Sequence, residues 1–246
     1  MKKPISDAVI LMAGSGSRLV AGGHVLPKPL IRIGDRAVLS YTIDALQEVG
    51  IENLHVVTGF NSDALLKGIE PLIPAGIELH AVHNMEWQKQ NGISVLAARS
   101  QISSPFFLTM GDHLFERSIV DLLLREAKRD ELNVAIDRKL NSIFDPEDAM
   151  KVLTCEDRIV NIGKDLRNYD AIDTGAFVCP LSFFDYLNEA KSASNRGDCS
   201  LADGVQLMAA AGRVRAIDIG DAWWQDIDSP ETLEHARRLI ATKRAV

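Results

Sequence analysis

The run Asp7-Ala8-Val9-Ile10-Leu11-Met12 has the length and branching of a buried parallel strand, and it begins an alternation that limits the chain to an α/β architecture. Residues 38–49 read as an amphipathic helix, 54–58 as a strand, 62–69 as a helix and 77–82 as a strand. A helix over 92–99, a strand over 106–110 and a helix over 118–128 continue the pattern. Repeated βα units predict a mainly parallel, mixed sheet flanked by helices, with ligands at the carboxyl ends of the strands. From Leu132 the runs shorten. Residues 149–154 and 158–162, separated by Cys155-Glu156-Asp157, read as a hairpin in a small antiparallel lobe. A strand over 171–179, helices over 181–191 and 201–211 and a strand over 214–219 follow. Residues 224–228 lead into a last helix, with Ser229 as N-cap and Pro230 at its first position. No linker or repeat divides the chain, so one domain over 1–246 is expected, with its two parts meeting near 131 and 132.

The first strand empties into Ala13-Gly14-Ser15-Gly16-Ser17-Arg18-Leu19, and Pro27-Lys28-Pro29-Leu30 begins nine residues after Arg18. Small residues let backbone N–H groups approach phosphate oxygens, and Arg18 and Lys28 supply the cations a polyanion needs. No lysine follows Gly14 or Gly16 at the Walker A distance, and Leu19 stands where a dinucleotide fingerprint needs a third small residue. Prolines on both sides of Lys28 stiffen its segment. An ordinary Gly/Ser turn is the plain structural alternative.

With a net charge of -7 and 25% charged residues, the chain does not fit a nucleic-acid-coating protein. The first strand follows Met1-Lys2-Lys3-Pro4 directly, and no run reaches membrane-helix length, so a cytoplasmic protein without a transmembrane segment is expected. Cys155, Cys179 and Cys199 are widely spaced and indicate neither a disulfide framework nor a zinc site.

The opening loop together with Gly111-Asp112 and Gln225-Asp226-Ile227-Asp228-Ser229-Pro230-Glu231 resembles the nucleoside-diphosphate-sugar pyrophosphorylase family of nucleotidyltransferases. Asn91-Gly92-Ile93-Ser94, Leu108-Thr109-Met110-Gly111-Asp112-His113, Ile162-Gly163-Lys164-Asp165-Leu166 and Ala171-Ile172-Asp173-Thr174-Gly175 resemble its CTP:inositol-1-phosphate cytidylyltransferase branch. The likeness spans nearly the whole chain, apart from Met12, where the family usually has alanine. It implies a Rossmann-like nucleotide-diphospho-sugar transferase fold, with residues 132–246 binding the acceptor. It also implies CTP and a polyol phosphate as substrates. No membrane alcohol-transferase region follows, so the CDP-alcohol is expected to pass to another protein, such as a membrane alcohol-phosphotransferase.

By that resemblance Arg18 binds the β- and γ-phosphates, while Lys28 bridges the α-phosphate and the incoming phosphate. Ala13, Gly14, Ser15 and Gly16 cradle the nucleotide, and Asn91 and Gly92 lie near the cytosine. Asp112 and Asp226 hold Mg2+, with Asp228 ranked behind them, and Lys164, Asp173 and Thr174 contact the acceptor. Each position also has a plainer reading. Asp112 suits a turn, Asn91 an N-cap, Lys164 a solvated surface and Asp173-Thr174-Gly175 a bend. His113 reads as a packed neighbour of Asp112, Trp223 and Trp224 as stacking or core residues, and His80 and His83 as surface residues on opposite strand faces. Phosphocholine or 2-aminoethylphosphonate as acceptor, a hexose-1-phosphate with UTP or GTP, and a non-catalytic nucleotide sensor are the alternatives.

Overall fold

The computed structural model describes residues 5–16 and 26–244. The chain begins with β1 (Asp7–Leu11), a short hairpin of β2 (Arg32–Ile33) and β3 (Arg36–Ala37), α1 (Val38–Glu48), β4 (Asn53–Thr58), α2 (Ser62–Ile69) and β5 (Glu78–His83). Next come α3 (Asn91–Ala97), β6 (Phe106–Met110), β7 (His113–Phe115), α4 (Arg117–Glu126), β8 (Leu132–Asp137), β9 (Lys151–Cys155) and β10 (Arg158–Gly163). The last elements are β11 (Ala171–Cys179), α5 (Phe183–Ala193), α6 (Leu201–Ala210), β12 (Val214–Asp218), β13 (Trp224–Asp226) and α7 (Pro230–Arg244).

Nine strands form one sheet in the order β5-β4-β1-β6-β11-β8-β12-β10-β9. The first four are mutually parallel, as the βα alternation requires. β11 then runs antiparallel to both β6 and β8, and β12 lies parallel to β8. The β9–β10 hairpin forms as expected but is continuous with the large sheet, through β12 on one side and β11 on the other.

Alternation along β1 explains the layering. Val9 and Leu11 enter a core with Phe106, Leu108, Phe177 and the α5 residues Phe183 and Phe184, while Ala8 and Ile10 enter a second core with Leu39, Ile43 and Leu46 of α1. The α1 trio recurs at helical spacing and is fully buried, each side chain contributing on the order of 1.5–3 kcal/mol. A third, smaller core joins Ile31, Ile33, Val38, Leu114, Ile227, Leu233 and Ala236. It binds the segment after Lys28, the strand after Asp112 and the start of α7 into one unit. Among the described residues, no helix is long and apolar enough to cross a membrane.

Candidate active site

The loop after β1 is fastened by Met12 N–H donating to Val57 O at 2.9 Å and Phe60 N–H donating to Ala13 O at 3.0 Å. Gly16 has φ +64°, and a Cβ there would stand 3.0 Å from Lys28 Cγ, so glycine serves both the turn and the close approach of lysine. Ala13, Gly14, Ser15, Gly16, Pro27, Lys28, Phe60, Trp87, Asn91 and Asp112 line a cavity of about 250 Å³. Arg18 lies outside the described residues.

A larger cavity of about 670 Å³ opens on the other side of Lys28. Asp112, His113, Lys164, Asp173, Trp223, Trp224, Asp226 and Asp228 contribute to its walls. Lys28, Asn91, Met110 and Asp112 border both cavities. Lys28 opens a short 3-10 turn, and its Nζ lies 3.3 Å from Asp112 Oδ2 and also in contact with Asp228 Oδ1. The lysine side chain is only 15% exposed, which keeps it in the wall between the cavities.

The second aspartate arrives through a pairing that periodicity does not reveal. β13 pairs antiparallel with β7, placing Asp226 opposite His113, and Ile227 N–H donates to Asp112 O at 2.9 Å. A segment expected only to lead into α7 therefore forms a strand. The α7 N-terminus is capped as expected, with Thr232 N–H donating to Ser229 Oγ at 3.2 Å.

Residues 8–159 match the MobA-like NTP transferase domain. The chain belongs to that family. Among curated relatives it is 30% identical to a bifunctional IPC transferase and DIPP synthase of Aquifex aeolicus, over 96% of this chain and 52% of that protein. A protein described in the same words from Thermococcus kodakarensis is 34% identical, over 95% of this chain and 50% of its own length. The chain thus spans about half the length of these curated relatives. Among solved structures, the inositol-1-phosphate CTP transferase from T. maritima superposes with a TM-score of 0.85 at 29% identity, covering 98% of this chain and 97% of that one. A UDP-glucose pyrophosphorylase complexed with UDP-glucose superposes with a TM-score of 0.81 at 19% identity, covering 97% and 99%, which establishes the shared nucleotide-diphospho-sugar transferase fold.

At the cavity junction the charges support one another. Burial works against ionisation of Asp112, but His113, whose Nδ1 lies 2.9 Å from Asp112 Oδ1, and Lys28 outweigh it and hold the carboxyl well below the usual range. Burial likewise opposes charge on Lys28 and His113. The facing aspartates prevail and raise both above their ordinary values. Asp226 is pushed up, first by burial and then by Asp228 and Asp112, with His113 opposing. Asp226 thus lies within electrostatic reach of two other carboxylates, an arrangement that a cation relieves.

Among the described residues, no group of three or more His, Cys, Asp or Glu is disposed to hold a metal ion. Magnesium takes one or two carboxylates and completes its shell with phosphate oxygens and water. Asp112 and Asp226 are hard oxygen donors on the wall of the larger cavity, Asp112 also bordering the loop after β1, and that pair fits the ion.

Other expectations need correction. Thr174 donates its hydroxyl to Ala135 O at 3.0 Å, is 1% exposed and does not border the cavity, so it braces β11 against β8. Gly92 is buried, and a Cβ there would meet Cys199 O at 2.6 Å, so it serves the packing of α3 on the segment before α6. Asn91 is not an N-cap. Gln90 holds that position, while Asn91 Oδ1 accepts from Leu201 N–H at 2.8 Å and joins α3 to α6. Lys164 stands at the cavity edge, half exposed and paired with Asp148. Asp173 borders the cavity with Oδ1 accepting from Gly175 N–H at 2.8 Å, and burial pushes its carboxyl up to about 7. His80 is partly buried, stacked on His55 at 4.7 Å.

His113 does more than the packed neighbour expected from sequence. Its ring stacks on Trp224 at 6.4 Å, and Trp224 Nε1 donates to Asp137 Oδ2 at 2.9 Å. Gly175 has φ +75°, and a Cβ there would lie 2.4 Å from the His113 ring. The Asp173-Thr174-Gly175 sequence is the signal that could have exposed this contact, because glycine leaves room for the ring.

Proposed function

We propose that the protein is a Mg2+-dependent cytidylyltransferase that transfers CMP from CTP to inositol 1-phosphate or a related polyol phosphate, releasing pyrophosphate and a CDP-alcohol. The observation that carries this reading is the position of Lys28, in the wall between the loop-lined cavity and the larger one and beside Asp112 and Asp228. The names of the T. maritima structure and of the curated relatives support the choice of inositol phosphate chemistry.

In this reading CTP occupies the smaller cavity, with its phosphates along Ala13, Gly14, Ser15, Gly16 and Arg18. Asn91, which borders the smaller cavity, lies toward the base. The acceptor occupies the larger cavity, near Lys164 and Asp173. An acceptor phosphate oxygen attacks the α-phosphorus in line, and the bond from that phosphorus to the oxygen bridging the β-phosphate breaks, so pyrophosphate leaves with its electron pair. The acceptor oxygen is already ionised at neutral pH, and the transfer needs alignment and cations more than a general base. Lys28 exchanges its aspartate contacts for the two phosphates that meet at the junction and offsets the charge that gathers there. His113 keeps one Asp112 oxygen occupied and so orients the carboxylate. Asp112 and Asp226 would hold the magnesium ion, which neutralises phosphate charge when bound.

A cationic alcohol phosphate such as phosphocholine is the second reading. Eight aspartates, including Asp137, Asp145 and Asp221, border the larger cavity together with Trp223 and Trp224, a lining that also suits an ammonium head. Pyrophosphate release measured with CTP, UTP and GTP against inositol 1-phosphate, phosphocholine, 2-aminoethylphosphonate and glucose 1-phosphate separates the readings. The first predicts turnover with CTP and the polyol phosphate. Preference for phosphocholine transfers the assignment to the second reading, and nucleotide binding without turnover on any acceptor refutes both.

A further inference from the structure

Residues 139–150 wall the outer side of the larger cavity with Ile143, Phe144, Asp145 and Asp148. The segment is tied at both ends. Lys139 Nζ donates to Gly220 O at 2.5 Å and Ala222 O at 3.2 Å, and Asp148 pairs with Lys164. Between these ties Phe144 is 40% exposed, yet its ring stacks on His235 of α7, with centroids 4.3 Å apart and planes 18° from parallel. His235 Nδ1 donates to Gln225 Oε1 at 2.9 Å. Gln225, 6% exposed, turns its other end to the neighbouring aspartate, with Nε2 donating to Asp226 Oδ1 at 3.0 Å and Asp226 O at 2.9 Å.

The two ends of the Gln225 amide face opposite demands. The Asp226 carboxylate and carbonyl oxygens only accept, so the amide NH2 of Gln225 faces them and its oxygen turns to His235, which answers with the Nδ1–H tautomer. His235 thereby anchors the far end of the Gln225 amide, and Gln225 occupies one oxygen of Asp226, leaving the other free to be directed into the cavity. Stacking on Phe144 restrains the His235 ring. We infer that Phe144, His235 and Gln225 are positioning residues that carry the placement of the 139–150 segment to the Asp226 carboxylate. Acceptor seated against Phe144 would then bias the same carboxylate that serves the nucleotide side. This rests on the reading of Asp226 as a metal carboxylate.

The test is Mn2+ alone titrated into the whole protein and followed by EPR, for wild type, Gln225→Leu, His235→Ala, His235→Asn and Phe144→Ala. Gln225→Leu is expected to weaken Mn2+ binding by about tenfold or more, the usual scale for a lost partner of a ligating group. Phe144→Ala and His235→Ala should weaken it in the same direction, and His235→Asn, which returns an amide N–H, should recover part of the loss. In steady-state kinetics at saturating Mg2+, Phe144→Ala should raise KM for inositol 1-phosphate and lower kcat, leaving KM for CTP within about twofold. Wild-type Mn2+ affinity in both Phe144→Ala and His235→Ala breaks the link between segment and carboxylate, and these two variants decide the matter if Gln225→Leu does not fold. Wild-type affinity in folded Gln225→Leu overturns the chain itself. The titration requires no turnover, so it remains decisive even if CTP and inositol 1-phosphate give no pyrophosphate, the result that would refute the functional reading.

Discussion

Lys28 Nζ lies 3.3 Å from Asp112 Oδ2, although 84 residues separate them in the chain. The contact spans the two segments that leave neighbouring strands β1 and β6 at their carboxyl ends. Its consequence is a cation kept in place by carboxylates, and in the proposed reading phosphates compete for it.

Replacing Lys28 by alanine is expected to lower kcat by more than about tenfold, since a cation that counts most in the transition state is removed. Far-UV circular dichroism should be unchanged, because the sheet does not depend on this side chain. Wild-type turnover in Lys28→Ala would end the assignment.

Gly175→Ala tests the space left for His113. The positive φ and the 2.4 Å approach of a Cβ to the ring both oppose the change. The variant should melt lower, by an amount corresponding to about 1–3 kcal/mol, and lose turnover disproportionately as His113 is pushed away from Asp112. Equal activity and melting temperature would show that the ring has room elsewhere.

Thr174→Val should lower the melting temperature while leaving KM for the acceptor unchanged, because the hydroxyl bonds Ala135 O inside the sheet. A selective rise in acceptor KM would restore Thr174 to the binding surface.

Asp173 gives a pH dependence with a defined sign. Its carboxyl is pushed up to about 7 by burial, from 3.8, so between those values the unfolded chain is ionised while the native side chain keeps its proton. The native state then binds more protons, and this group's contribution to stability falls as pH rises from about 4 to 7, by at most roughly 1.4 kcal/mol per pH unit. Asp173→Asn keeps an acceptor for Gly175 N–H and removes the titration. Its stability relative to wild type, measured by denaturant melts across that window, should rise with pH. A difference that does not vary with pH would contradict the buried carboxyl.

Much of the architecture was legible because one-dimensional periodicity reflects which face of an element is buried. The strands over 106–110 and 171–179 and the helix over 62–69 appear with the bounds read from their apolar patterns. The three-residue strands β7 and β13 were not legible. They are too short to show a period, and they are held by each other and by the Ile227, Leu233 and Leu114 core. The aspartates could be named from the resemblance, but the positions of His113, Gln225 and His235 around them depend on that pairing. Thr174 and Gly92 differ from expectation for a common physical reason. A polar or small residue inside a motif can serve packing as readily as a ligand, and burial alone separates the two.

The most direct test of the central claim is 31P NMR of the protein incubated with Mg2+, CTP and inositol 1-phosphate. The account predicts pyrophosphate and a CDP-alcohol appearing in equal amounts, with loss of both signals in Lys28→Ala. Unchanged CTP and inositol phosphate resonances with folded wild-type protein, or pyrophosphate released without the CDP-alcohol, would contradict it.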